Sequence, residues 1–355
     1  MRGTLSSVEG ISLEELQLAA RNHGMPLEAL RYPVTPVGLH YLLIHYDVPD
    51  VDPATWILMV RGERELSLGL AGLKERPRTE LTVTMECAGN GRARLDPRPV
   101  SQPWLLEAVG TARWAGTPLR PLLEEAGVGE SAVEVLFTGL DRGIEGDIEQ
   151  RYQRSLTVEE ALRDDVILAY EMNGGPLPPQ HGFPVRLLVP GWYGMTSVKW
   201  LAEIELIDEP FAGYQQAQGY RLRQSEDEEG TPLQRIVPRS LFVPPGIPEF
   251  FTRARTVEPG EHVLVGRAWS GLAPVAAVEV STDGGSTWAA AELEPEKERW
   301  AWRGWRFRWK AESGEYVLCS RARDEDGNEQ PLDPPWNLGG YANNAVQRVH
   351  VTVRG

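Results

Sequence analysis

The residues best suited to chemistry fall in two short runs. The first is LTVTMECAGNGRARL, residues 81–95, which carries Cys87. Ala88, Gly89 and Gly91 permit a tight backbone after the thiol, and Arg92 and Arg94 bring guanidinium groups close to it. Positive neighbours favour the thiolate, which is both the reactive form of cysteine and a ligand for soft transition metals. Read alone, Cys87 suits either that role or a buried structural position. The second run is HGFPVRLLVPGWYGMTSVKW, residues 181–200. His181, Arg186 and Lys199 are three potential cations, Gly182, Gly191 and Gly194 allow close backbone approach, and Pro184 and Pro190 constrain the path. Together they read as a loop, a strand and a loop around an anion. Taken singly, His181 suits a structural role and Lys199 a surface charge. Tyr152 in RYQRSL reads as part of a surface turn, and His40 and His45 as packing residues at the ends of an apolar stretch.

The elements that must position these residues divide along the chain. Ser12 with Glu15 has the spacing of a capping box and predicts a short helix there. Residues 41–45, 55–60, 81–85, 133–138 and 184–189 are rich in branched and aromatic residues and predict strands. Residues 118–126 and 158–163 predict short helices. No regular strand–helix alternation occurs and no GxGxxG follows a strand, which disfavours a nicotinamide-binding fold. Residues 221–249 are charged and then proline-rich, and are expected to run over the surface as a connection. Beyond them the pattern is strands only, over 262–268, 275–281, 300–309, 315–322 and 345–353, with turn signals at Asp283-Gly284-Gly285 and Asp326-Gly327, as in a β-sandwich. Trp300, Trp302, Trp305, Phe307 and Trp309 alternate along one of these strands and read as a buried face, with an interface as the other reading. The fold class is therefore α+β, with boundaries expected at 1–34 for an N-terminal lead-in, 35–220 for a mixed domain, 221–249 for the connection and 250–355 for the sandwich.

Composition excludes several classes. The 355 residues hold 36 Lys and Arg against 51 Asp and Glu, a formal net charge of −15, so the whole chain offers no basic footprint for nucleic acid. Two cysteines, Cys87 and Cys319, exclude a disulfide scaffold and an all-cysteine iron–sulfur or zinc site. Cys319 lies in a predicted strand and reads as core. Apolar runs fall far short of the roughly 20 residues a membrane span needs. The opening MRGTLSSVEG lacks the apolar segment of a secretory signal, so the expected compartment is the cytoplasm if Met1 is the native start.

The combination of Cys87-Ala88-Gly89-Asn90 with GWYGMTSVKW strongly resembles the sulfite oxidase family of molybdenum–molybdopterin oxidoreductases, here a bacterial-type member without a haem domain. RYQRSLTVEEAL, ILAYEMNGGPLPPQHGFPVRLLVPGWYG, EVSTDGGSTW and DPPWNLGGYANNAVQRVHV carry the resemblance in the family order. It implies a molybdopterin-binding mixed domain followed by an immunoglobulin-like dimerisation domain, one molybdenum–molybdopterin cofactor per chain, and no haem in this chain. It places Cys87 as the thiolate ligand of the metal. It places His181, Arg186, Ser197, Val198 and Lys199 around the pterin and its phosphate. Asp141 and His45 fall on further cofactor-side positions, and Tyr152 and Arg92 on the substrate pocket. Two positions depart from the family pattern. Leu43 and Gly91 stand where sulfite oxidases commonly carry arginines, with Ile44 in place of an asparagine before His45. Two cationic contacts to sulfite are thereby missing.

The expected function is molybdenum-dependent oxygen-atom transfer of the sulfite oxidase type, with a small oxyanion or oxide as substrate. The expected partners are an external one-electron carrier and a second copy of the chain, with no nucleic acid and no membrane span. Three rivals remain at this point: a reductase of an S-oxide or N-oxide, a non-catalytic binding protein built on a decayed cofactor domain, and hydrolytic chemistry at Cys87 with His181.

Overall fold

The computed structural model describes residues 4–5 and 10–355. Most of MRGTLSSVEG, on which the absence of a leader is read, lies outside the described residues. The helix Leu13–Arg21 begins with the full capping box: the Glu15 amide donates to Ser12 Oγ at 3.2 Å, and the Ser12 amide donates to Glu15 Oε2 at 2.9 Å.

Two five-stranded sheets build the first part of the molecule. One runs in the order Glu65–Gly69, Ile57–Arg61, Leu201–Ile207, Glu134–Glu145, Ile148–Thr157. The other runs Gly175–Pro176, Ile167–Met172, Val109–Pro118, Thr79–Glu86, with Arg186–Leu188 pairing onto Ile167–Met172. Leu58, Val60, Phe137 and Ile204 of the first sheet pack with Leu168 and Leu187 of the second and with Leu122 and Leu123 of the helix Arg120–Ala126. In the first sheet these side chains alternate along their strands, so one face leaves water; the second sheet is buried on both faces, with Ile167 and Ala169 packing among Trp114 and Leu188 in a separate cluster.

The stretch 41–45, predicted as a strand, is extended but joins no sheet beyond a single bridge between Leu42 and His23. Its polar backbone is taken by side chains instead. The Ile44 amide donates to Asn22 Oδ1 at 2.7 Å, and the Leu43 carbonyl accepts from Lys199 Nζ at 2.8 Å.

The second part is a β-sandwich. A sheet of Arg239–Phe242, Gly260–Trp269, Arg303–Ala311 and Glu292–Leu293 faces one of six strands that includes Val275–Ser281, Gly314–Asp324 and Gln347–Val353. Trp305, Trp309, Phe242, Leu264, Val278, Leu318 and Val351 fill the space between them. The tryptophan run thus divides its work. Trp305 and Trp309 are sandwich core, whereas Trp300 and Trp302 turn to the first part, donating to Asp165 Oδ2 at 2.7 Å and to the Pro33 carbonyl at 2.9 Å. Cys319 is fully buried in the second sheet, and both cysteines are free thiols. Among the described residues no helix is long and apolar enough to cross a membrane.

Residues 221–249, expected at the surface, contain the wholly buried strand Arg239–Phe242. Arg239 crosses to the first part and pairs with Glu86 at 2.9 Å, both side chains being 1% exposed. Leaving one member of such a pair unpartnered costs ~3–5 kcal/mol, whereas replacing both by apolar residues is often nearly neutral. Arg239→Met alone is therefore expected to lower unfolding free energy by that amount in urea titrations. Adding Glu86→Leu is expected to recover only part of the loss, because Trp269 Nε1 then loses its acceptor and Asn90 Nδ2 one of its two.

Candidate active site

Four elements converge on one cavity. The strand Thr79–Glu86 ends at Cys87, whose amide donates to the Ala108 carbonyl at 2.9 Å. Asn90 then shapes the loop: its Nδ2 donates to Glu86 Oε1 at 3.0 Å, and its Oδ1 accepts from the Ala108 amide at 3.1 Å. Gly91 has φ of +94°, and a side chain there would bring Cβ to 2.9 Å from the Asn343 carbonyl. An arginine is thus excluded from this position by both backbone and space. Arg186 arrives on its short strand, and Ser197 and Lys199 on the turns leading to Leu201–Ile207. Tyr152 and Asp141 come from the antiparallel pair Glu134–Glu145 and Ile148–Thr157. The register of that pair breaks between Thr138 and Arg142, and Asp141 lies in the break.

The cavity spans about 590 Å³ of space outside the protein atoms, part of it continuous with open solvent. Cys87, Tyr152, His45, Asp141, His181, Arg186, Ser197 and Lys199 all line it. Two predicted residues do not. Val198 is fully buried in the core of the first part, its amide donating to Thr196 and its carbonyl accepting from Leu187. Arg92 points to the second part, donating from Nε to the Gly339 carbonyl at 3.0 Å and from Nη1 to Ser101 Oγ at 3.1 Å, with its guanidinium over the Tyr341 ring.

Most of the cations are already engaged. Arg186 donates from Nη1 to the His181 carbonyl at 3.1 Å and from Nη2 to the Ser197 carbonyl at 2.9 Å, and it lies over Trp114. Its Nε is buried and has no hydrogen-bond partner. A buried donor without an acceptor is costly, and such an atom fits an acceptor on a bound group. Lys199 Nζ donates to the carbonyls of Leu43 at 2.8 Å and Gln180 at 3.2 Å. Tyr152 donates its proton to the Met195 carbonyl at 2.7 Å.

Burial dominates the electrostatics. It pushes the Cys87 thiol up, with the positive charge of Arg92 working against it. The expectation that nearby guanidinium groups leave this thiol easily ionised is therefore reversed, because desolvating a thiolate outweighs one cation held at a distance. Burial and the neighbouring cations keep His181 neutral, pushed down to about 2. Asp141 is pushed up to about 7 by burial, against the attraction of Lys199. Lys199 is pushed down to about 7 by burial and by repulsion from Arg186, against Asp141. Among the described residues no three His, Cys, Asp or Glu side chains converge to hold an ion. Cys87 offers one thiol to the cavity, which suits a metal carried in by an organic chelate.

Several lining residues were not singled out from sequence. Leu42, Met85 and Met195 give the cavity an apolar share; His40, read as a packing residue, also lines it and meets His181 edge-on at 5.5 Å. Tyr220, the last residue of the expected mixed domain, closes the wall beside His45. Its only local signal is a buried-type aromatic in a polar run.

Comparison with known proteins bears on this arrangement. Residues 45–215 match a model described as an oxidoreductase molybdopterin binding domain, and residues 248–354 one described as a Mo-co oxidoreductase dimerisation domain. The chain is 38% identical to the mitochondrial sulfite oxidase of Rattus norvegicus over 341 residues, 90% of this chain and 62% of the relative. It is 38% identical to the sulfite oxidase of Gallus gallus over 336 residues, 89% of this chain and 72% of the relative. Nitrate reductase [NADH] 2 of Phaseolus vulgaris is 31% identical over 365 residues, with 41% of its length covered. The sulfane dehydrogenase SoxCD of Paracoccus pantotrophus superposes with a TM-score of 0.80 at 25% identity, covering 99% of this chain and 90% of that one. The chain thus spans somewhat under two thirds of the length of the mammalian relatives.

The raised Asp141 means that the folded protein holds a proton that the unfolded chain releases near pH 3.8, so stability falls as pH rises from about 4 to about 7. Lys199 acts in the opposite sense above about 7, where the folded state sheds its proton before the unfolded chain does. Asp141→Asn is expected to flatten the decline between pH 4 and 7 in cofactor-free protein, measured by denaturant unfolding across that range.

Proposed function

The chain belongs to the sulfite oxidase family of molybdopterin oxidoreductases, and from that premise we propose that it transfers an oxygen atom to a small sulfur compound. The observation that carries this reading is the meeting of Cys87, His181, Arg186 and Lys199 at one cavity, with Arg186 Nε still lacking an acceptor. Bound there, the molybdenum–molybdopterin group supplies two-electron oxygen-atom transfer, with the electrons then passed on singly.

The residues take distinct parts. Cys87 gives its sulfur to the metal and must lose its proton to do so. Arg92 supports that loss by charge and holds the loop to the second part. Arg186, His181, Lys199 and Ser197 would hold the polar rim of the cofactor, the guanidinium and the neutral imidazole by hydrogen bonds and Lys199 by charge. Val198 keeps Ser197 and Lys199 in place by packing. Asp141 offsets the Lys199 charge. His45 and Tyr152 face the substrate side, with the Tyr152 proton engaged at Met195 and its oxygen in hydrogen-bond contact with Tyr220.

Substrate charge follows from the same contacts. Both cavity cations are occupied by carbonyl groups, and Leu43 adds an apolar side chain to the wall. A sulfur compound of lower charge than sulfite, such as the sulfane sulfur named for the Paracoccus enzyme, suits this wall better. The electrons pass to an external one-electron carrier. The second part joins two copies of the chain, in the manner its matched domain is described. The expected division at residues 35–220 and 250–355 assigns cofactor binding to the first part and pairing to the second.

Elemental mass spectrometry on protein made in a host with a working cofactor pathway tests the core of this reading. About one molybdenum atom per chain is expected for the wild type, and oxygen-transfer activity is expected to vanish in Cys87→Ser. Folded protein without molybdenum, or unchanged activity in Cys87→Ser, sinks it. Leu43→Arg is expected to lower KM for sulfite by about tenfold, since a charge-assisted hydrogen bond is worth ~1.5–3 kcal/mol. Steady-state kinetics with sulfite measures it.

A further inference from the structure

We propose that Arg154 is a positioning residue that gives the substrate side of the cavity one positive charge with no protein counter-ion, and so selects a monoanionic sulfur compound. The inference rests on the reading of this cavity as an oxygen-transfer site, and it names the charge class of the substrate.

The pairing of buried charges carries the argument. Arg239 has Glu86 at 2.9 Å. Lys199 and Asp141 attract one another. Arg92 favours the thiolate of Cys87, the form that binds a metal. Arg186 holds its unpartnered Nε at the cavity the cofactor would fill. Arg154 has no such partner. It is 2% exposed, yet among the described residues no carboxylate lies within ion-pair distance of it. Glu134, whose charge reaches it, instead accepts from the Phe211 amide at 2.9 Å. Arg154 Nη1 donates to the Gln215 carbonyl, and Nε is buried without a hydrogen-bond partner. A cation held this way costs stability and calls for an anion that the protein itself does not supply.

The strand directs that charge at the substrate side. Arg154 lies two residues beyond Tyr152 in Ile148–Thr157, so both side chains leave the same face. Its guanidinium stands over the Tyr220 ring at 5.8 Å. The Tyr220 hydroxyl meets His45 Nε2 at 2.5 Å and also the Tyr152 hydroxyl. The ring in between is fixed, packing on Tyr341 at 5.3 Å from a backbone held at a left-handed φ of +51°. Tyr152, Tyr220 and His45 line the cavity, and Arg154 stands one side chain behind them. Its charge therefore reaches the cavity through two phenols that burial keeps protonated. A dianion would bring a second charge to a space whose other cations are tied to carbonyls and whose lining includes Leu43, Met85 and Met195. A neutral compound would leave the guanidinium unmet. A monoanion, such as an organic sulfinate, meets it singly.

The test uses the full chain loaded with its molybdenum cofactor at neutral pH. Dimethyl sulfone, methanesulfonate and sulfate serve as calorimetric probes, since they share a tetrahedral sulfur and carry no, one and two negative charges. Wild-type protein is expected to bind methanesulfonate about tenfold more tightly than either of the others. Arg154→Met removes the charge and keeps the length. It is expected to weaken methanesulfonate by about tenfold, the scale of a unit charge acting across one phenol ring, and to leave dimethyl sulfone unchanged. Arg154→Lys is expected to restore most of the loss. Molybdenum per chain is expected to stay at the wild-type value and the thermal midpoint of Arg154→Met to be no lower, whereas a purely structural arginine would lower it. Arg154→Gln, which also lacks the charge, replaces Arg154→Met if the latter does not fold. Wild-type binding of sulfate or dimethyl sulfone as tight as that of methanesulfonate overturns the proposal. So does unchanged methanesulfonate binding in a folded charge-free variant, or a loss that all three probes share or that tracks molybdenum content. Binding needs no turnover, so a protein that shows this charge selection yet oxidises no sulfur compound would refute the oxygen-transfer reading alone.

Discussion

Glu86 is the fixed point of the molecule. Its carboxylate sits immediately before Cys87, is 1% exposed, and accepts from Asn90 Nδ2 on one oxygen and from Trp269 Nε1 at 2.8 Å on the other, with Arg239 alongside. A charge so deep is tolerable only when nearly every lone pair is met. The three partners come from the cysteine loop and from two strands of the sandwich. Satisfying one buried carboxylate therefore sets the height of the Cys87 loop against the second part. The remaining clamps repeat that geometry: Asn343 Nδ2 donates to the Gly91 carbonyl at 2.7 Å, the Ala342 amide to the Ala88 carbonyl at 2.8 Å, and Arg92 to Gly339.

The same economy governs the cavity. Cations are brought near a buried space and then tied to backbone carbonyls, which spreads their charge without neutralising it. The result is a rim that attracts an anionic group while fixing the direction of every donor. Phenols and an imidazole supply the rest of the polar lining, with Lys199 reaching the Leu43 carbonyl beside them.

Much of this was legible in the sequence, and the reasons are local. Cys87 and the His181–Lys199 run are chemically conspicuous, and their neighbours are the glycines and prolines that shape their own loops. The sandwich was legible from its alternation and its Asp-Gly turns, and the Ser12–Glu15 cap from spacing alone. The failures share a cause, which is distance along the chain. Residues 41–45 have the composition of a strand, yet Asn22 and Lys199 claim their backbone. Arg239 lies in a proline-rich stretch that reads as surface, and its partner is more than 150 positions upstream. Tyr220 is hidden for the same reason. Arg92 and Val198 sit in conspicuous motifs, but the motif does not say which way a side chain turns. The Cys87 thiol shows the same limit for charge, since neighbouring arginines are visible in sequence and the depth of burial is not.

The seam between the two parts has a consequence for modularity. Matched separately, the first and second parts look like independent cassettes. Yet the second part lends the first its floor through Arg239, Trp269 and the 339–343 stretch, while Trp300 and Trp302 return the loan at the other end of the seam. A chimera that joins this first part to a relative's sandwich would inherit a cysteine loop without its anchor unless those positions travelled with it. The unit on which inheritance and engineering can act is accordingly the pair, cut nowhere between Glu86 and Asn343.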